Sequence, residues 1–367
     1  MKKTKFDTLF LLILSTILVA CTNNPVTIIP NLAIKPTPVP IISEFQKGVA
    51  YTSWWHGEYS SPESDLTLTN VIKPLGVTWV SVIVTCYQDN IKSTAIHCLP
   101  DTKTPTDDDL VHLIKFIHAQ GMKVMLKPHI DISSGESRWR GNIGFENDES
   151  AWQAWFASYA EFISHYAILA QTNQVDYFVA GTELGKTSPR VDQWRTLIKK
   201  IRSLYSGPIT YAANWGEVFD VNWWDDLDAI GVDAYYPLTD SNQPTASQLK
   251  EAWNPIVSRL GKLSQQWNRH IIVTEIGYRS IDGINQMADT TGTPVLDLQE
   301  QADCYQAMFN AFQGQKWWQG VYWWNWTIDP KQGGPADTDF TANNKPAENI
   351  LRFYFGAPLR NLATPLP

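Results

Sequence analysis

The chain has 367 residues, 44% of them hydrophobic and 18% charged, enough to bury a large core as two small domains or one large barrel, and too apolar for disorder over most of its length. Its formal charge is −8, and loss of the first twenty residues, which hold Lys2, Lys3, Lys5 and Asp7, would take it to about −10. That balance argues against nucleic acid as a partner, because phosphates select basic surfaces.

The chain opens with a basic start, the apolar run "LFLLILSTILVA" and then Cys21, the layout of a secretory signal rather than of a domain helix. The stretch "LVAC" (18–21) resembles the lipobox of bacterial lipoproteins, which implies cleavage before Cys21 and a lipid on its sulfur. An ordinary signal peptide or a single membrane anchor is the alternative, and every one of these readings puts the rest of the chain outside the cytoplasm. Residues 21–46 then read as an extended spacer, since "TNNPVTIIPNLAIKPTPVPIISEFQ" carries five prolines and no clean periodicity.

From Gly48 onward, short apolar runs alternate with longer amphipathic ones, the pattern of parallel βα units. The expected strands are "KGVAYTSW" (47–54), "WVSVIVTCY" (79–87), "KVMLKPHID" (123–131), "DYFVAGTE" (176–183), "PITYAANW" (208–215), "AIGVDAYY" (229–236), "IIVTEIGY" (271–278) and "GVYWWNW" (320–326). Between them, residues 107–121 carry Leu110, Leu113, Ile114 and Ile117 at helical spacing behind acidic first-turn residues, with Gly121 as a stop, and residues 149–171 form another helical stretch. Eight such repeats over residues 47–356, with no GxGxxG after the first strand, predict a (β/α)8 TIM barrel rather than an open doubly wound sheet. A short tail, 357–367, follows it.

An oxidising compartment makes a Cys86–Cys98 disulfide plausible, and Cys304 reads as a buried small apolar residue. The seven histidines show no HExxH and the cysteines no CxxC spacing, so neither a metal nor a cofactor is expected. The expected state is a monomer.

In a barrel of this kind the active site lies at the C-terminal ends of the strands. Glu183 closes the fourth strand and Glu275 the seventh. Either alone would ordinarily be a cap or half of an ion pair. Two carboxylates facing each other across the mouth suit glycoside hydrolysis, in which one protonates the leaving oxygen and the other attacks the anomeric carbon or activates water.

The stretches "AGTEL", "YAANW", "IGVDAYYPL", "VTEIGYRS" and "VYWWNW" at the ends of strands four to eight resemble glycoside hydrolase family 113 of clan A, whose founding activity is endo-β-1,4-mannanase. The resemblance spans nearly all of residues 47–355. It implies a retaining enzyme acting on a polysaccharide, with Glu183 as acid/base and Glu275 as nucleophile. Thr182 departs from the clan pattern, which usually has Asn before the acid/base to hold the sugar 2-hydroxyl. The clan's strand-two arginine also lacks an obvious counterpart, and Lys127 or Arg140 is the candidate source of that positive charge. Another β-glycan, a transglycosylase, or a non-catalytic glycan-binding lipoprotein are the competing readings.

Further candidate sugar contacts are His129 and Asn214 at strand ends, and Tyr235 or Tyr236 as a hydrogen-bond donor to an ionised Glu275, with core packing as the alternative for each tyrosine. Of the seventeen tryptophans, Trp54, Trp55, Trp139, Trp215, Trp324 and Trp326 fall at strand ends or in the loops beyond them, where flat rings stack on pyranose faces. Strand alternation would put Trp324 and Trp326 on one side and Trp323 and Asn325 on the other.

Overall fold

A computed structural model describes residues 44–99, 101–135, 139–286 and 295–362. The leader, Cys21, the spacer up to residue 43 and the last five residues of the tail lie outside the described residues. Eight parallel strands close into a barrel in sequence order: β1 Gln46–Thr52, β2 Trp79–Gln88, β3 Lys123–Ile132, β4 Tyr177–Thr182, β5 Ile209–Asn214, β6 Ala229–Asp233, β7 His270–Ile276 and β8 Trp318–Thr327. All eight predicted strands are present. They read as continuous apolar runs because side chains are covered on both faces, by the barrel interior and by the helices.

The interior is filled by Trp79, Met125, Tyr177, Val179, Ala212, Ala229, Ile272 and Tyr322, a packed core rather than a pore. Tyr322 needs a glycine opposite it: a Cβ at Gly48 would lie 2.3 Å from the tyrosine ring. Its hydroxyl donates to Gln46 Oε1 at 2.6 Å.

The surrounding α-helices are α1 Pro62–Leu66, α2 Asp107–Ala119, α3 Glu149–Thr172, α4 Val191–Leu204, α5 Ala246–Trp267, α6 Leu298–Phe312 and α7 Pro346–Phe355. Helix α2 starts in a capping box, Thr106 and Asp109 each bonding the other's backbone N–H, and its apolar stripe Leu110, Leu113, Ile114 and Ile117 is buried against the sheet. Helix α5 repeats the device with Thr245 and Gln248. Among the described residues no helix is long and apolar enough to cross a membrane.

The fifth unit departs from the expected alternation. Between β5 and β6 a 3-10 turn, Trp224–Asp226, stands where a helix is expected. Tryptophan rings fill that layer instead: Trp223 stacks on Trp194 of α4 with centroids 4.8 Å apart, and the Trp224 indole donates to Val218 O at 3.2 Å. Both bicyclic side chains are fully buried and supply the apolar cover at this position.

The loops beyond β7 and β8 are tied together by a buried cation. Lys345 Nζ donates to Ser280 Oγ at 2.9 Å, to Asp337 Oδ1 at 2.8 Å and to Asp339 O at 2.7 Å. Cys86 at the end of β2 is bonded to Cys98, which closes the antiparallel bridge Tyr87–His97 beside the barrel mouth. Cys304 is fully buried in α6.

Candidate active site

Three strands slip register by one residue just before their C-terminal ends. On β7, Val232 pairs with Val273 but Asp233 pairs with Glu275, so Thr274 is extra. On β4, Val179 pairs with Thr210 and Thr182 with Ala212. On β8, Val49 faces Trp323 and Tyr51 faces Trp326. Such slips re-aim side chains that strict alternation would send to opposite faces. On β7 the result is that adjacent residues serve one cluster: Thr274 Oγ1 donates to Asp233 Oδ1 at 2.7 Å, while Glu275 meets the lysine that binds the same aspartate.

That lysine is Lys127 of β3, fully buried. Its Nζ donates to Asp233 Oδ1 at 3.1 Å and Oδ2 at 3.2 Å, and also to Glu275 Oε1. The other oxygen of Glu275, Oε2, accepts from Tyr235 Oη at 3.1 Å. Burial, and secondly the charge of Glu275, push the Asp233 carboxyl well upward, against the pull of Lys127.

His129 sits next to this pair. Its Nδ1 is 2.9 Å from Arg140 Nη1, and since a guanidinium only donates, the imidazole proton belongs on Nε2. Nε2 lies 3.6 Å from Glu275 Oε1 and has no hydrogen-bond partner among the described residues. Burial, then the charges of Arg140 and Lys127, hold His129 well below the ordinary imidazole range, so it is a neutral donor. Arg140 is itself anchored by Asp131, Nη2 to Oδ1 at 2.5 Å.

Glu183 has a different setting. It follows the last residue of β4 with φ +52°, a conformation that side-chain-bearing residues seldom adopt. Its backbone N–H donates to Ala212 O at 2.8 Å. Its Oε1 accepts from Asn214 Nδ2 at 2.8 Å. Burial raises its carboxyl above the ordinary value and the charge of Glu275 adds to this, while Arg140, Asn214 and Lys127 oppose it. Glu217, in the loop after β5, is 8% exposed. Burial pushes its carboxyl from the ordinary 4.5 to about 7, although Ser188, Tyr211 and the Asn214 N–H all bond to it.

The aromatic candidates divide. Trp54 and Trp324 are half-buried at the ends of β1 and β8, and Trp55, Trp139 and Trp215 are exposed. Trp326 is 1% exposed and packs with Trp323 in the apolar core, so the expectation that it shares a face with Trp324 fails. The extra residue in β8 is the reason, because it cancels the alternation between 323 and 326. Of the two tyrosines, Tyr235 reaches Glu275. Tyr236 does not: its ring packs on Trp215 and Trp253, with centroids 5.4 and 5.8 Å away, and its buried hydroxyl has no partner among the described residues.

Lys127, Arg140, His129 and Asn214 are thus gathered around the two glutamates. Asp233 and Glu217 went unselected in the sequence, although Asp233 stands out as a charge inside "AIGVDAYY". Elsewhere, the carboxylates Asp282 and Asp297 of the β7–α6 connection and Glu300 in the first turn of α6 come close together. Asp297 is occupied capping α6, and Glu300 accepts from Gly283 N and from Asn285.

Chemically, one carboxyl is raised by burial and accepts from a neutral amide, while the other is engaged by an ammonium and a phenol. Comparison with known proteins identifies the family and the fold. The family model described as Glycoside Hydrolase Family 113 matches residues 50–345. A solved structure described as a complex of a GH113 β-1,4-mannanase has 28% sequence identity and TM-score 0.78, over 86% of this chain and 100% of that chain. The GH113 β-mannanase AaManA from Alicyclobacillus acidocaldarius, solved in complex with ManMIm, gives the same identity and TM-score over 86% of this chain and 98% of that chain. A β-glucuronidase from Faecalibacterium prausnitzii shares the fold at 13% identity and TM-score 0.54, over 85% of this chain and 49% of its own. No curated protein matches the sequence.

Proposed function

The chain belongs to glycoside hydrolase family 113, and from that premise we propose that it is a retaining endo-β-1,4-mannanase in which Glu275 is the nucleophile and Glu183 the acid/base. The observation that carries this reading is the unequal setting of two strand-end glutamates: Lys127 and Tyr235 donate to Glu275, while burial and the charge of Glu275 favour a protonated Glu183. In the first step an oxygen of Glu275 bonds to the anomeric carbon, the glycosidic C–O bond breaks, and the Glu183 proton passes to the departing oxygen. In the second, Glu183 takes a proton from water, the water oxygen bonds to the anomeric carbon, and the bond to Glu275 breaks.

The remaining groups act on the sugar. His129 Nε2–H, buried and unpartnered beside Glu275, is a donor for a hydroxyl of the ring under attack, a role supported by the substitution of Thr182 for the usual asparagine. Thr182 is 3% exposed. Trp54 and Trp324 offer stacking faces at the rim. The mannan assignment draws on the two β-mannanase structures.

We also propose that lipid on Cys21 anchors the protein on the extracytoplasmic side of a membrane. The Cys86–Cys98 bond supports that compartment. Cys21→Ala should move the protein from the membrane to the soluble fraction and abolish incorporation of an alkyne fatty acid; unchanged labelling would reject Cys21 as the site.

The decisive experiment is proton NMR of manno-oligosaccharide cleavage. First-formed product with the β-anomeric signal and internal bond cleavage are expected. An α-anomer first would exclude double displacement, and hydrolysis of glucan or xylan in place of mannan would redirect the substrate assignment.

A further inference from the structure

We propose that Glu217 is a positioning residue for the acid/base, a single buried carboxyl that fixes Glu183 through two separate hydrogen-bonded arms. The inference rests on Glu183 being the acid/base, as proposed above.

The first arm runs through Asn214. Its backbone N–H donates to Glu217 Oε2 at 3.2 Å, and its Oδ1 accepts from Gly216 N at 3.0 Å. With the carbonyl oxygen so occupied, the amide cannot flip, and Nδ2 must be the end that reaches Glu183 Oε1 at 2.8 Å. Asn214 is then only a donor to Glu183. A proton on Glu183 therefore belongs on Oε2, the oxygen left to serve the glycosidic bond.

The second arm runs through Tyr211. The Leu184 backbone N–H donates to Tyr211 Oη at 2.8 Å, and that hydroxyl donates onward to Glu217 Oε1 at 2.6 Å. Leu184 follows Glu183 directly, so this arm holds the backbone on the C-terminal side of the residue at φ +52°. Ser188 Oγ is a third donor to the Glu217 carboxyl and the second to its Oε1.

This arrangement requires an acceptor-only group with two oxygens, which Glu217 is in its ionised form, so the kinetic comparison is made at about pH 8, above the value of about 7 to which burial pushes its carboxyl. In a glutamine, an NH2 placed toward Asn214 would face a donor. Placed toward Tyr211 and Ser188, it would leave the tyrosine hydroxyl accepting twice with no acceptor for its own proton. Either orientation loosens one arm, and a proton donor displaced by a fraction of an ångström loses most in reactions where the leaving group needs that proton.

The test compares kcat/KM for phenyl and 2,4-dinitrophenyl β-mannobiosides in wild type, Glu217→Gln and Tyr211→Phe, each checked for its thermal midpoint. The phenyl glycoside needs protonation of its leaving oxygen and the dinitrophenyl one does not. A loss of about tenfold or more on the phenyl substrate with less than about threefold on the dinitrophenyl one is expected for both variants. Equal losses on both substrates, the pattern of a merely structural role, or no loss on either, would overturn the proposal. If the glutamine variant does not fold, Tyr211→Phe, which deletes one oxygen, decides by the same criterion. Failure of the wild type on both mannobiosides would instead count against the mannan assignment, and the comparison then uses the aryl β-glycoside that the wild type does cleave.

Discussion

The rim of the barrel near β7 and the rim near β4 carry the same side chain in opposite surroundings. Around Glu275 the partners are a buried ammonium shared with Asp233, a phenol and, at 3.6 Å, a neutral imidazole. Around Glu183 the direct partner is a neutral amide, held in turn by a second buried carboxyl. Glutamate has no fixed role of its own. The donors supplied by β3 and β6 suit attack by an oxygen lone pair, and those supplied by β5 suit delivery of a proton.

Removing the β7 carboxylate should have the largest effect. Glu275→Ala is expected to lower turnover on the order of 10⁴-fold while leaving polysaccharide retention on an insoluble mannan column near the wild-type value. Near-normal activity would end the comparison, because the two sides would then share no reaction. Glu183→Ala comes next. Its loss on polysaccharide should fall at roughly 10²–10⁴-fold and shrink for kcat/KM on an activated aryl glycoside. Equal losses on both substrates would mean that the β4 side does not supply a proton.

The third variant separates charge from packing on the β7 side. Lys127→Met strands Asp233 and Glu275 without their shared cation, and removal of one partner from a buried pair costs about 3–5 kcal/mol. Urea denaturation should show this, and adding Asp233→Asn should recover part of the loss because the two residues are in direct contact. Additive losses would show that Lys127 and Asp233 are not energetically coupled.

How much of this was legible in the sequence follows the same divide. The strands could be read because burial on both faces gives each a continuous apolar run, and a carboxylate closing such a run is conspicuous at 183 and 275. Lys127 is visible in "KVMLKPH" as a charge in an apolar segment, but its partner Asp233 lies some hundred residues away, and no local period links them. Alternation misassigned Trp326 because the register slips leave no mark in composition. Glu217 sits in "NWGEVFD", a loop without periodicity. Its importance arises only when Asn214, Tyr211 and Ser188 converge on it from β5 and from the β4–α4 connection. The Trp223 and Trp224 pair likewise replaced a helix that the βα pattern led one to expect.

The smallest expected effect tests the β4 side without any substrate. Burial raises the Glu217 carboxyl from 4.5 to about 7, so between those values the folded chain holds a proton that the unfolded chain has released. Stability from this group is therefore fully present below about pH 4.5 and is lost as pH rises to about 7, by roughly 3 kcal/mol if the whole difference is realised. Glu217→Gln cannot titrate. Its unfolding free energy, followed by urea denaturation at steps from pH 4.5 to 8, should fall less steeply than that of the wild type, so that the two curves converge or cross as pH rises. Curves that stay parallel would mean that Glu217 carries the same charge in the folded and unfolded chain, and that burial does not raise its carboxyl.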